Sequence, residues 1–281
     1  MSVDNFKPQI WAAKLLENLE HDHVYAKLGN RDYEGEIKAL GDSVRINSIG
    51  DITVTAYTPN STSISWQELQ DASQVLVIDK DYYFAFYIED ADKAQTKPDL
   101  MNQAMKRASW SLVETAEDLI AAYLHANTAS DNILTAVTVG TGADDGDAYE
   151  TLVDLEVALD EADVPGGDRW CVVPPWYHGL LKKDPRFVSF GTPENRRILR
   201  GEPIGEVSNF TLYKSNNVPT SGSAYYVQAG YPGAWSYAEQ ILETEAMRLQ
   251  TAFRDGIRGQ HVYGYKVTRP QGLAYVLATP A

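Results

Sequence analysis

Three groups of residues in this chain have types and spacings that could do chemistry. Gly140-x-Gly142-x-x-x-Gly146 stands between an apolar run and an amphipathic one, where a phosphate loop would stand. Its spacing matches neither common glycine motif, and Asp144, Asp145 and Asp147 would repel a pyrophosphate, so a solvent loop is the plainer reading. The same acids are suitable oxygen donors for Ca²⁺, but the regular twelve-residue ligand pattern of a calcium loop is absent. His21-x-His23, with Glu17, Glu20 and Asp22, has metal-ligand types. Residues i and i+2 do not share a helix face, and solvated side chains explain the cluster more simply. His125, His178 and His261 have no nucleophile motif beside them, and there is no Gly-x-Ser-x-Gly. Cys171, the one cysteine, lies in an apolar run beside Trp170, where a thiol is an inert core group. A single cysteine excludes an internal disulfide and a cysteine metal cluster. Scattered acid pairs could form a glycosidase, but nothing singles one out. No residue is assigned as catalytic, cofactor-binding or metal-ligating.

Charge is more informative than these motifs. Lys and Arg total 24 against 39 Asp and Glu, a formal charge of -15, which opposes general adhesion to nucleic acid or anionic lipid. Thr141 to Asp168 holds ten acids and no Lys or Arg. Lys182 to Arg200 reverses the balance, with Lys182, Lys183, Arg186, Arg196, Arg197 and Arg200 against Asp184 and Glu194. Two solvated faces are one reading of this pattern. The other is complementary edges of neighbouring copies, with Asp144 and Asp145 facing Arg186, Arg196, Arg197 and Arg200 across a heterologous contact that closes into rings. No run approaches the roughly 18 apolar residues of a membrane span, and Met1 to Ile10 lacks a basic segment followed by an apolar one. The expectation is a cytosolic product that is not exported by the Sec route.

The elements that must position these residues follow from periodicity. An aromatic strand, Tyr82 to Ile88, runs through an acidic turn into a helix starting near Lys97-Pro98-Asp99. Met101, Met105, Ala108, Leu112, Ala116, Leu119 and Tyr123 form its apolar stripe, over about 28 residues and about 42 Å. Ile10 to Leu19 reads as a short amphipathic helix carrying Trp11, Leu15 and Leu19 or Leu16. The next twenty or so residues, with Gly29, Gly35 and Gly41, show no core pattern and read as an extended arm. From Asp42 the period becomes two, with Val44, Ile46, Val54, Ile64 and Trp66 on one face and a turn at Pro59-Asn60-Ser61. The other face is wet, so this hairpin needs something else to lie against.

Ile133 to Val139 reads as a strand. A helix follows, with Asp147 at its N-cap, Glu150 at N3, Leu152, Leu155 and Leu159 inward, and Val164-Pro165-Gly166 at its end. Arg169 to Val173 is a buried strand stopped by Pro174-Pro175, and Trp176 to Leu181 a short helix. Phe210 to Tyr213, Ala224 to Val227 and Ala234 to Tyr237 are short strands, and Gln260 to Leu277 is strand-rich. The expected fold class is α+β.

The order of these segments resembles the major capsid (coat) proteins of tailed bacteriophages, with the Hong Kong 97-type fold. The likeness rests on Ile10-Trp11-Ala12-Ala13-Lys14-Leu15-Leu16, on Gly41 to Ile46, and on Asp79-Lys80 leading into the aromatic strand and long helix. It continues through Val164-Pro165, Arg169 to Pro175, Phe253 to Gly264 and Val267-Thr268-Arg269-Pro270. The resemblance implies an N-terminal arm (residues 1–40), an extended β loop over a neighbouring subunit (41–80), a peripheral domain with a spine helix (81–130 and 241–281) and an axial domain (131–240). It implies self-assembly through pentamers and hexamers into an icosahedral head shell around double-stranded DNA, with Trp66 of the loop added to the inter-subunit candidates. The virion is then its location, after assembly in the bacterial host cytoplasm. Partners would be a portal, a possible decoration protein and, since the arm starts almost at Met1, a separate scaffolding protein or none. Packaged DNA would be touched only weakly, and no cofactor or membrane is involved. Some members cross-link Lys to Asn from the extended loop, but Gly41 to Asp79 contains no Lys. The alternatives are another self-assembling phage subunit, of the tail tube or the decoration layer, and a cytosolic carbohydrate-active hydrolase, for which 6 Trp and 17 Tyr would suit a sugar cleft.

Overall fold

The alternation of Val44 and Ile46 with Arg45 becomes an antiparallel pair. In the computed structural model, which describes residues 24–33, 41, 43–49, 54, 56, 66, 71–89, 100–142, 145–184, 186, 205–248 and 254–281, β1 (Ser43–Ile49) runs against β2 (Asp71–Val77). Ser43 stands opposite Val77 and Ile49 opposite Asp71. Val44, Ile46, Leu76 and Ile78 are buried against Ala238 and Val262. The hairpin root therefore has the external support that its one-sided pattern demands. Val54 and Trp66, expected in strands, lie outside any strand, and Pro59-Asn60-Ser61 falls outside the described residues.

The supporting surface is a three-stranded antiparallel sheet, ordered β10 (Trp235–Arg248), β11 (Arg254–Val267), β3 (Lys80–Glu89). At Gly264 of β11 a Cβ would come within 2.5 Å of the Val77 carbonyl, so only glycine lets the hairpin root pass this closely. Period-two alternation in β3 sends Tyr82, Phe84 and Phe86 to one face and Tyr83, Ala85 and Tyr87 to the other. The first set meets Met105, Leu112 and Val113 of helix α1 (Leu100–Ala126), together with Ile257.

The second body is a mixed sheet in the order β4 (Ile133–Val139), β12 (Leu273–Pro280), β9 (Ala224–Gly230), β5 (Trp170–Val173), β7 (Phe210–Lys214), β6 (Glu206–Val207), with β8 (Thr220–Ser221) on β9. Cys171 and Val173 face α2 (Ala148–Glu161) and α3 (Pro175–Leu181), whose Leu152, Leu155, Leu159, Tyr177 and Leu181 fill one core. Trp170 and Val172 face Ile120, Ala121 and Leu124 of α1 in a second core. Both faces of β5 are covered, which is why it is a continuous apolar run rather than an alternating one.

The α+β class and the elements from Ile133 to Leu181 match the sequence reading closely, and four features differ. The buried stripe of α1 is Met105, Ser109, Leu112, Val113, Ala116, Glu117, Ile120, Ala121 and Leu124, while Ala108, Leu119 and Tyr123 are only half-buried. The stripe is rotated because Glu117, which looks like a surface residue, points inward. β10 and β11 are each 14 residues long, far beyond the short segments expected, and β10 carries a bulge between Ile241 and Glu243. Leu273–Pro280 joins the seven-stranded sheet, between β4 and β9, rather than the body around α1. The arm contributes to the core: Tyr25 and Ala26, in a 3-10 turn Tyr25–Lys27, are fully buried, with Leu28 beside them. The expected helix from Ile10 to Leu19 lies outside the described residues.

Candidate functional site: assembly surfaces

The arm is fastened by a buried carboxylate. Glu117 accepts the Tyr25 N–H at 2.8 Å and the Ala26 N–H at 3.2 Å, the free donors at the start of the 3-10 turn. Further along, the Asn30 N–H donates to the Trp235 carbonyl and the Tyr237 N–H to the Asn30 carbonyl, at 3.0 and 2.9 Å. Arg31 pairs with Glu239, and its guanidinium lies 5.6 Å from the Tyr237 ring centroid. Glu239 also accepts the Tyr237 hydroxyl at 2.8 Å and lies 3.2 Å from His261 Nε2. His261 thus belongs to a buried polar cluster that holds the arm to the sheet. Sequence reading missed this latch. Its one signal was an acid, Glu117, on the same helical face as Val113, Ile120 and Leu124.

Other surfaces are unusually apolar for solvent. Trp66 is 94% exposed and Val54 93%. On the three-stranded sheet, the face away from α1 presents Tyr83 and Tyr87, which are 80% and 55% exposed, and Met247. Register places Gly256 between Met247 and Tyr87, and Arg258 between Glu245 and Ala85. Arg258 bonds Glu245 at 2.9 Å, and Arg254 stacks 4.5 Å from the Tyr87 centroid. This aromatic face, on which Arg258 and Glu245 neutralise each other, has the make-up of a protein interface.

Of the charged candidates, Arg186 bridges both runs within one chain. It lies 3.2 Å from Asp147, 3.3 Å from Glu150 and 3.6 Å from Asp184, with its guanidinium 4.8 Å from the Tyr149 centroid. Asp147 caps α2 as expected, accepting the Tyr149 N–H at 2.8 Å. Arg196, Arg197, Arg200 and Asp144 lie outside the described residues. Asp145 accepts the Gly142 N–H at 2.8 Å, and a Cβ at Gly142 would sit 2.6 Å from that carboxylate. Two further loop donors are spent internally: the Gly140 N–H on the Gly146 carbonyl and the Gly146 N–H on the Thr138 carbonyl. A phosphate would find its place already taken by Asp145.

The remaining chemical candidates are packed as structural groups. His125 stacks on Tyr226 at 4.1 Å, with Nδ1 3.2 Å from the Ala121 carbonyl. His178 is buried in α3, and burial holds the Cys171 thiol well above its ordinary pKa. His21 and His23 lie outside the described residues. Among the described residues, no three His, Cys, Asp or Glu side chains gather where they could hold a metal, and no helix is long and apolar enough to cross a membrane.

The known proteins that this chain resembles are phage capsid proteins. Residues 71–276 match the model of a family described as phage capsid protein. A solved structure from Mycobacterium phage Che8 is 29% identical and superposes with a TM-score of 0.73 over 91% of each chain. The capsid structure of the cyanophage P-SCSP1u gives 0.73 at 18% identity, over 92% of this chain and 89% of that one. The mature capsid of bacteriophage PhiM1 gives 0.64 at 14% identity, over 92% and 87%. No curated protein matches the chain. The two more distant structures show the Hong Kong 97-type fold, and the family match spans most of the sequence: this chain belongs to the phage capsid protein family.

Proposed function

We infer that this chain is the major capsid protein of a tailed bacteriophage or prophage, many copies of which form the icosahedral head shell around double-stranded DNA. The family match over residues 71–276 carries this reading. The exposed Trp66 and the Tyr83, Tyr87 and Met247 face support it, since both are surfaces that another copy would cover. Its role is structural, and no catalytic activity is assigned.

Residues 1–40 form the arm, pinned at Tyr25 to Arg31. The hairpin of 41–80 is the extended loop, rooted on its own sheet and laid over a neighbour. The peripheral body is α1 with β3, β10 and β11. Residues 131–234 with Leu273–Pro280, the expected boundary at 240 moving back because β10 starts at Trp235, form the axial body gathered at five- and six-fold positions. Arg196, Arg197 and Arg200 meet the acidic run around Asp144 and Asp145 of the next copy, while Arg186 serves its own chain. A separate scaffolding protein, a portal and a possible decoration protein complete the assembly, without Lys–Asn cross-links from the loop. Deletion of Thr53 to Ser65 tests the loop: subunits should stay folded and fail to close shells. Normal assembly efficiency without those residues would remove the loop from the clamp.

A further inference from the structure

The outer face of the first half of α1 has no part in the interfaces described above. Gln103, Lys106, Arg107 and Trp110 stand at i, i+3, i+4 and i+7, a single strip of helix, and all four are exposed, Trp110 to 55%. From Leu100 to Val113 the helix contains no acid; in sequence Asp99 directly precedes it, and Glu114, one turn beyond Trp110, ends the strip. Neither Lys106 nor Arg107 has a carboxylate partner among the described residues. Exposed Lys214 and Arg269 likewise have no ion pair among the described residues, so what distinguishes Lys106 and Arg107 is their adjacency, one turn from an exposed indole. In a chain of charge -15, two unneutralised cations beside an exposed indole form a local reversal of the prevailing field.

We propose that this strip is a contact for the phosphate backbone of the DNA inside the shell. The proposal rests on the capsid reading above, which supplies the polyanion. Lys106 and Arg107 each neutralise a phosphate, and Trp110, one turn further on, lies against sugars or frayed bases. Two cations per subunit give a contact that is weak singly and additive over a shell. The acidic remainder of the chain repels DNA, so the genome is held at points and slides elsewhere. An acidic segment of a second copy is the competing partner, since it offers charge but neither sugars nor bases.

Fluorescence anisotropy of unassembled wild-type subunit with a labelled random-sequence 30-base-pair duplex, between 25 and 100 mM NaCl, tests this. Two phosphate contacts predict a log–log salt slope of about -1.8, an affinity loss of about twelve-fold over that range. K106Q/R107Q should abolish the slope, while K214Q/R269Q, at exposed cations given no role above, should leave it unchanged. Gln is a good helix former at an exposed site, so thermal melts should overlay and separate binding from folding. Trp110→Ala should weaken binding several-fold at an unchanged slope. A wild type that fails to bind at 25 mM NaCl, or a K106Q/R107Q slope equal to wild type, overturns the proposal. A polyglutamate peptide that competes as well as duplex of equal charge overturns it in favour of a protein partner. Shell formation by the wild type, imaged separately, reports on the capsid reading whatever these titrations show.

Discussion

Replacing Glu117 by Ala should release the arm from the body of the subunit. The carboxylate holds two buried backbone donors, the Tyr25 N–H at 2.8 Å and the Ala26 N–H at 3.2 Å. Each donor left unpaired in a buried place costs about 1–3 kcal/mol, so the pair amounts to about 2–5 kcal/mol after some local relaxation. The better helix propensity of Ala returns only a few tenths of a kcal/mol. Against this stands the burial of Tyr25, Ala26 and Leu28, of similar size. With the two terms so nearly balanced, the turn should be detached in a large fraction of subunits, where in the wild type it is held. Glu117→Gln keeps one acceptor but turns an NH₂ toward the other donor, and should cost about half as much. Urea unfolding of the unassembled subunit gives the magnitude by Trp fluorescence. Trp235 is fully buried, and a Cβ added at Gly29 would lie within 2.8 Å of its ring, so its emission senses the latch. Trypsin gives the location: Lys27 and Arg31 should become rapid cleavage sites in Glu117→Ala. If Glu117→Ala unfolds within about 0.5 kcal/mol of wild type, a threshold well below the loss of even one buried hydrogen bond, the latch argument fails.

Two further perturbations follow from the charge run and the buried thiol. Arg196→Glu with Arg197→Glu should block shell closure and leave the subunit folded. Wild-type assembly by that double variant would sink the inter-subunit pairing with the acidic run. Cys171 should react with thiol reagents only as fast as the subunit unfolds, even at pH 9, because burial keeps its proton on. The sign of the linkage follows: above the ordinary thiol value of 9.0 only the unfolded chain ionises, so the cysteine makes stability fall as pH rises from there, by up to about 1.4 kcal/mol per unit. Cys171→Ala should remove that component, and an unchanged pH slope or rapid native labelling would show the thiol is accessible.

The parts of this fold that can be read from sequence are those whose cause is local. Asp147 caps α2 and Leu152, Leu155 and Leu159 face the core, because cap chemistry and a 3.6-residue period act within one helix. β4 and β5 are recovered because each is a short apolar run bounded by turn residues. β10 and β11 are not, because Glu239 and Glu245 interrupt any apolar pattern. Their length depends on pairing with each other and on β3, far away in sequence. The placement of Leu273–Pro280 is likewise a choice between two sheets made by β4 and β9. The latch is the extreme case, since Tyr25 and its carboxylate lie 92 residues apart. Among candidate assembly residues, Trp66 was visible as an aromatic residue in a hairpin without a core of its own. The outward Tyr83 and Tyr87 were visible only as part of an aromatic strand, because the side covered by α1 is not written in β3 itself.

Negative-stain microscopy of the purified chain with a crowding agent, beside its sedimentation profile, tests the central claim most directly. The account predicts closed shells, or rings of five and six subunits, from this chain alone or with its scaffolding protein. A small monodisperse species that forms no ring at any concentration, with or without that scaffold, would contradict it.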